Sequence, residues 1–177
     1  QCVLPLIGCT LLHNPDVVCP EELRNQLINS VRSCAGGNMV RRVRVMQLLA
    51  QMDAEGLNVK LIKGYAVADC YQYPECLHPK LGKLEVHVRL YPELVSDVWL
   101  KNVNEKELVV ESPVSVLRNG EIYRTLGYTD HLIFLTLHMV RHFIRSGMNV
   151  RMMIDVAQYF AANKNKIDAA RYWHILE

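Results

Sequence analysis

The stretch Val59-Lys60-Leu61-Ile62-Lys63-Gly64-Tyr65-Ala66 is an apolar run that ends in Lys-Gly and leads directly into a helical pattern. It predicts a strand over residues 57–62, then a glycine turn and a short helix over residues 66–71. A glycine turn before a helix exposes backbone N–H groups beside Lys63, and this arrangement suits a phosphate group. Such turns are also common as purely structural features, so the stretch alone is compatible with a binding site or a simple turn.

The composition is that of a globular protein. The chain has 177 residues, of which 50% are hydrophobic and 21% are charged, and its net charge is +2. A chain of this length can bury a core of its own, and so small a net charge gives no indication of a specific nucleic-acid partner. The basic run Arg41-Arg42-Val43-Arg44 is better interpreted as a solvated helix face.

The cysteines and the apolar start bear on the compartment. The 6 cysteines form no C-x-x-C pair, so we expect reduced, partly buried thiols and neither a zinc knuckle nor a disulfide framework. Residues 1–8 lack the cationic segment of a signal peptide and are too short to span a bilayer. We therefore expect a cytoplasmic protein with no membrane partner. The chain begins with Gln and stops within an amphipathic pattern, which suggests a piece of something longer.

Hydrophobic periodicity predicts helices on both sides of a small sheet. Two helices are expected before the sheet, separated by Gly36-Gly37, over residues 21–33 and 39–55. Strands are expected over residues 83–90, 108–111, 114–117 and 121–125, the last two joined by a turn at Asn119-Gly120. Helices are expected after the sheet over residues 129–145, 150–162 and 167–176. The predicted fold class is α+β, a small mixed sheet with flanking helices and a C-terminal helical bundle.

The strand predicted over residues 83–90 carries the first candidate functional pair. Side chains alternate along a strand, so Glu85 and His87 project from the same face. A rigid strand that holds a carboxylate beside an imidazole is a good basis for a site. The alternative that stays open is a solvated outer face of the strand.

Histidines and a buried carboxylate in the C-terminal helices are the second candidate group. His138 and His142 lie four residues apart on one helix face, but the zinc-protease glutamate is missing, which favours packing or hydrogen-bonding histidines over a metal site. Asp155 lies among apolar residues, where an unpaired carboxylate is costly to bury, so we expect it to pair with Arg151, with Arg141 or with a histidine on a helix.

Together these segments resemble the uncharacterised nucleotidyltransferase family of bacteria, a branch of the polymerase-β-type nucleotidyltransferase superfamily. The matching segments are residues 61–68, 73–76, 78–87 and 130–155. In that superfamily a glycine turn cradles a nucleoside triphosphate, and strand carboxylates hold two Mg²⁺ ions. The resemblance implies transfer of a nucleoside monophosphate from an NTP to the hydroxyl of an unknown small-molecule or protein acceptor.

The resemblance also implies roles for individual residues. Glu85 corresponds to a catalytic carboxylate and metal ligand, with His87 as its catalytic companion. The residues implied to bind nucleotide are Lys63, Gly64 and Tyr65, and those implied to support the site are His138, His142, Arg151 and Asp155.

The sequence departs from the family at its metal-binding strand. No Gly-Asp-x-Asp segment stands between Cys76 and Leu84, and one glutamate cannot hold two Mg²⁺ ions. Two alternatives stay open: an enzyme for which this sequence lacks an internal piece, or a catalytically inactive nucleotide- or partner-binding module of the same fold. The predicted segments are an N-terminal helical segment (1–56), an incomplete nucleotidyltransferase-like core (57–126) and a truncated helical segment (127–177).

Overall fold

The structure, a computed structural model, describes residues 4–77, 87, 90, 109–118, 120–147 and 149–177. These residues fall into two units, one within residues 1–59 and 71–83 and the other within residues 60–70 and 84–177. Helices dominate, and an antiparallel hairpin supplies the sheet, so the predicted α+β class is confirmed. The three segments predicted from the sequence, with boundaries after residues 56 and 126, stay a prediction.

The helices and strands of the described residues are numbered in chain order. They are α1 (Leu4–His13), α2 (Glu21–Ala54), α3 (Gly64–Val67), β1 (Val114–Arg118), β2 (Glu121–Thr125), α4 (Tyr128–Ser146), α5 (Val150–Asn163) and α6 (Ala169–Leu176). Short 3-10 turns lie at Ala68–Cys70, Pro74–Cys76 and Lys164–Lys166. Within these described ranges, no helix combines the length and apolar character needed to cross a bilayer.

The first unit is built on α1 and α2, which pack together along a close contact. A Cβ atom added at Gly8 of α1 would lie 3.3 Å from Leu27 Cδ2 and 3.4 Å from Val31 Cγ2 of α2. The absence of a side chain at Gly8 therefore lets the two helices approach closely. The 3-10 turn Pro74–Cys76 packs against both helices and completes this unit.

The predicted break between two helices at Gly36-Gly37 is wrong, because α2 runs without interruption from Glu21 to Ala54. A glycine that ends a helix adopts a positive φ. Among the described glycines, the residues with positive φ are Gly56, Gly120 and Gly147. The φ angles of Gly36 and Gly37 are therefore negative, as in a helix. Glycine inside a helix costs only about 1 kcal/mol relative to alanine, which the surrounding helix tolerates. The helix ends at Ala54, close to the predicted end at residue 55, and Gly56 follows with φ 74°.

The expectation of reduced thiols is also wrong for one pair of cysteines. Cys9 of α1 and Cys76 of the 3-10 turn form a disulfide across a sequence separation of 67 residues. Within the described ranges, Cys19, Cys34 and Cys70 form no disulfide. Cysteine spacing along the chain did not predict this bond, because the packing of α1 against the turn brings the two side chains together.

The hairpin of the second unit matches its prediction, whereas two neighbouring strands do not. β1 pairs antiparallel with β2, with Val116 opposite Tyr123, and Gly120 in the turn has φ 82°. Residues 57–62 form no strand. Val59 N donates to Leu57 O (3.0 Å) in a tight turn, and the backbone hydrogen bond to β2 is made at one position, from Leu61 N to Arg124 O (2.8 Å).

Two further predicted strands have different outcomes. Residues 109–111 form no strand, because the backbone N–H of Glu111 donates to the carboxylate of Asp130 (2.8 Å) and not to a sheet ladder. The strand predicted over residues 83–90 lies outside the described residues, apart from His87 and Leu90.

The three C-terminal helices agree with their predicted positions, and α4 packs against both α5 and α6. The first half of α4 is the centre of the core, because every residue from 129 to 137 is buried. Asn149 and Asp168 cap α5 and α6, each accepting a backbone N–H bond of 3.0 Å two or three residues later. Gly147 (φ 84°) ends α4.

Candidate functional site

The backbone of Lys63 has an unusual conformation at the predicted glycine turn. Lys63 immediately precedes α3 and has φ 62° and ψ −143°, a region that glycine adopts readily and other residues rarely do. A side chain in such a region costs about 1–3 kcal/mol, and strain of this kind is common at functional sites. The carbonyl of Lys63 accepts a hydrogen bond from Val67 N (2.9 Å), which closes the first turn of α3.

A small pocket of about 70 Å³ lies at this turn, within the second unit. Its lining residues are Lys63, Leu135, His138, Met152 and Asp155. Ligand pockets for drug-sized molecules occupy roughly 300–1,000 Å³. The described residues therefore enclose space for one end of a ligand, such as a phosphate group, and not for a whole nucleotide.

The ammonium group of Lys63 contacts an imidazole and an aromatic ring. Lys63 Nζ lies 3.3 Å from His87 Nε2 and 5.9 Å from the centroid of the Phe134 ring. A lysine ammonium only donates, so His87 Nε2 is unprotonated in this contact and accepts. Residue 87 is thus brought next to the predicted phosphate turn, although 24 residues separate it from Lys63.

Arg151 and Asp155 approach the same turn from α5. The guanidinium atom Arg151 Nη2 lies 3.8 Å from the position that a Cβ atom on Gly64 would occupy. Arg151 Nε lies 3.9 Å from Asp155 Oδ2, and both side chains are more than four-fifths buried. Arg151, one of the predicted partners of Asp155, thus pairs with it.

His138 and His142 lie next to each other on α4. Their ring centroids are 4.6 Å apart, and the His138 ring stacks on Phe134 at 5.8 Å. His138 lines the pocket. The His142 ring packs against the ring of His138 and is not among the lining residues. We call the basic side chains grouped here the basic cluster; its members are Lys63, His87, His138 and Arg151.

A buried series of side-chain hydrogen bonds fixes the segment that precedes Lys63. Thr125 Oγ1 of β2 donates to Leu61 O (2.7 Å), so its oxygen accepts from His131 Nδ1 (3.2 Å). The imidazole of His131 is fully buried against the ring of Tyr159, and this burial lowers its pKa to about 4. His131 is therefore neutral, and its Nε2 atom has no hydrogen-bond partner among the described residues.

The sequence did not predict this series of hydrogen bonds, which we call the Thr125 clamp (Leu61, Thr125 and His131). No pattern in the sequence connects residue 131 with residues 61 and 125. The one available signal is a threonine at the last position of a predicted strand. That signal is weak, because threonine is also frequent in strands for its shape alone.

The remaining predicted site residues have different positions. Gly64 is the first residue of α3. The ring of Tyr65 packs edge-on against Tyr123 of β2, with centroids 5.5 Å apart. Glu85 lies outside the described residues. The functional roles assigned to all these residues stay predictions.

The donor set of the pocket does not fit a pair of Mg²⁺ ions. Mg²⁺ prefers oxygen ligands, above all carboxylates. Among the described residues that line the pocket, the carboxylate is Asp155, and it already pairs with Arg151. The described part of the site is thus suited to an anion and not to two divalent cations.

Comparison with known proteins gives the family. The family described as "Uncharacterised nucleotidyltransferase" matches residues 77–177, which is more than half of the chain. The chain belongs to this family. No curated protein and no solved structure matches the chain.

The nucleotidyltransferase match divides the basic cluster. His87, His138 and Arg151 lie inside the matched residues, whereas Lys63 and its turn precede them. Residues on both sides of the boundary therefore meet in one unit.

Proposed function

We propose that the chain is a nucleotidyltransferase that binds the phosphate groups of a nucleoside triphosphate at the basic cluster. The family supports the nucleotidyltransferase class. The observation that carries the binding site is the strained turn at Lys63, whose side chain lines the same pocket as His138. Since α3 has only four residues, side chains and not a helix terminus carry the attraction for the anion.

The chemistry of the proposed site follows from the protonation states of its residues. Lys63 is a donor of charge-assisted hydrogen bonds, and Arg151 presents a fork of donors suited to phosphate oxygens. A phosphate oxygen that replaces His87 Nε2 as acceptor would keep Lys63 bonded while adding a charge partner. In the transfer step, an acceptor hydroxyl oxygen bonds to the α-phosphorus as the bond to pyrophosphate breaks, and the proton of that hydroxyl passes to a base, for which Glu85 is the candidate.

Two parts of this proposal rest on the family resemblance. Mg²⁺ would polarise the phosphates and neutralise the leaving pyrophosphate, but the described residues do not fit two such ions, so we assign no step through them. We propose Glu85 as the base for the acceptor hydroxyl or as a ligand of a metal ion. The acceptor itself is a small molecule or a protein of unknown structure.

Calorimetric titration with ATP and with GTP tests the binding site. We expect Lys63→Ala to weaken binding by roughly tenfold or more, because one charge-assisted hydrogen bond contributes about 1.5–3 kcal/mol. The matched control is Lys164→Ala, in an exposed 3-10 turn of the same unit. Equal affinities for Lys63→Ala and the wild-type chain would contradict the site, as would an equal loss in Lys164→Ala.

A second candidate function is a module that binds nucleotide without transferring it. The observation in its favour is the sequence itself, which contains no Gly-Asp-x-Asp segment. Release of pyrophosphate from ATP in the presence of Mg²⁺ separates the two candidates. Release that is lost in Glu85→Ala supports the transferase, whereas ATP binding without release supports the binding module.

A further inference from the structure

A group of metal-ligating side chains lies in the first unit, apart from the basic cluster. One atom each from Cys9, Glu75 and Cys76, two sulfurs and a carboxylate oxygen, lie within 4.8 Å of one another. Both cysteines are buried and Glu75 is exposed, so the group reaches from the core of the unit to its surface. We propose that the dithiol form of this group is a binding site for a thiophilic divalent cation of the Zn²⁺ type.

The chemistry of the three donors matches such a cation. Zn²⁺ is bound by cysteine sulfur at about 2.3 Å and by carboxylate oxygen at about 2.0–2.2 Å, in tetrahedral geometry. Tetrahedral bonds of that length place neighbouring ligand atoms roughly 3–4 Å apart. The three donor atoms lie within 4.8 Å of one another, and the two sulfurs, which are bonded to each other in the disulfide, move apart to reach this spacing. Three protein ligands leave the fourth position to water. Mg²⁺ and Ca²⁺ are poor candidates, because they prefer sets made of oxygen alone.

Hydrogen bonds hold the backbone around Glu75 and Cys76 in place without help from the sulfurs. Asn38 Nδ2 of α2 donates to Glu75 O (2.6 Å) and to Leu77 O (2.7 Å), on both sides of Cys76. Cys76 N donates to Tyr73 O (3.0 Å) within the 3-10 turn. Opening the disulfide therefore leaves Cys76 anchored, and a site that is already ordered loses less entropy on binding.

The disulfide and the proposed metal site exclude each other. An external dithiol reduces the Cys9–Cys76 bond, becoming a disulfide itself while Cys9 and Cys76 become thiols. Each thiol then loses its proton as the metal–sulfur bond forms. The Cα atoms are 6.7 Å apart, at the long end of the range for disulfides, so modest side-chain rotation separates the sulfurs around an ion.

Titration of the reduced chain with Co²⁺ under anaerobic conditions, followed by displacement with Zn²⁺, tests the proposal. We expect one Co²⁺ per chain with sulfur-to-metal charge-transfer absorption, lost in Cys9→Ser and in Cys76→Ser. Glu75→Gln should weaken the binding and keep the absorption. The matched control is Cys19→Ser, which removes a free cysteine and should bind as the wild-type chain does. Charge-transfer absorption that persists in Cys9→Ser would overturn the site.

A second measurement needs no variant, so it holds even if a substitution prevents folding. The reduced wild-type chain is alkylated with and without Zn²⁺, and the modified cysteines are mapped by mass spectrometry. We expect Zn²⁺ to slow alkylation of Cys9 and Cys76 at least severalfold while Cys19 reacts at an unchanged rate. Equal alkylation of Cys9 and Cys76 with and without Zn²⁺ would refute the proposal.

Discussion

Lys63 combines a strained backbone with a charged side chain at the proposed site. Because φ is positive, we expect Lys63→Gly to be more stable than Lys63→Ala by about 1 kcal/mol, although both lose the ammonium group. Lys60, which has no positive φ, is the control, and there alanine should be more stable than glycine by about 0.5–1 kcal/mol. Urea unfolding of the four variants measures both differences. The same order at both positions would show that Lys63 is not strained.

His131 makes stability depend on pH through its burial. Its folded pKa, about 4, lies below the usual value of 6.5, so the unfolded chain binds the proton more tightly. The stability that neutral His131 contributes is fully present above pH 6.5 and is lost as the pH falls towards 4. It amounts to about 2 kcal/mol between pH 7 and pH 5.

The comparison of two histidine variants isolates this effect. The free energy of unfolding is measured at pH 7 and at pH 5 for the wild-type chain and for His131→Gln. We expect the difference between the two pH values to be smaller in His131→Gln by this amount. Replacing the exposed His174 of α6 by Gln should leave the dependence in place. An unchanged dependence in His131→Gln would mean that another group causes it.

The N-terminus of α4 is capped by a side chain from outside the helix. Thr129 N donates to Glu111 Oε2 (2.8 Å), and Arg171 pairs with both Glu111 and Asp130. A carboxylate suits this end of a helix, where backbone N–H groups are free.

Removal of this cap should destabilise the second unit. We expect Glu111→Ala to lower the free energy of unfolding by about 1–2 kcal/mol, since a cap contributes about 1 kcal/mol and the ion pair with Arg171 adds to it. Glu55→Ala, at the exposed end of α2, should change stability by less than about 0.5 kcal/mol. Thermal unfolding measures both, and equal effects would argue against a capping role.

The continuity of α2 can be tested at its glycines. A Cβ atom at Gly36 meets nothing within 4 Å, and the residue lies inside the helix, so Gly36→Ala should stabilise the chain by about 1 kcal/mol. Gly56 also has open space, but its φ is 74°, so Gly56→Ala should destabilise the chain by about 1 kcal/mol. If α2 broke at Gly36-Gly37, urea unfolding would show Gly36→Ala as destabilising too.

At the scale of the molecule, the disulfide constrains the first unit. The Cys9–Cys76 bond closes a loop with a sequence separation of 67, and closing such a loop stabilises a fold by up to about 4 kcal/mol through the unfolded chain. Reduction without added metal should therefore increase hydrogen exchange in residues 4–59 and 71–77. Cys9→Ser should exchange like the reduced chain, and Cys19→Ser like the oxidised chain. Identical exchange before and after reduction would contradict this prediction.

The basic cluster also shows how much of the site could be predicted. Lys63 and its turn could be recognised because a strand-like run, a glycine and a helical pattern are neighbours in the chain. The partners of Lys63 were candidates by residue type, but their meeting depends on the packing of α4 and α5 around the turn. The Thr125 clamp could not be predicted, because side-chain hydrogen bonds between distant residues leave no periodic pattern.

By itself the sequence determined the features that depend on near neighbours. These are the hairpin with its glycine turn, the end of α2 close to Gly56, the three C-terminal helices and the lysine at the turn. Local propensity and hydrophobic period decide such features within a few residues. Only the tertiary structure decided the continuity of α2, the Cys9–Cys76 bond and the Glu111 cap. Each of these is set by packing between distant segments, which can override local preference and which no window of sequence contains.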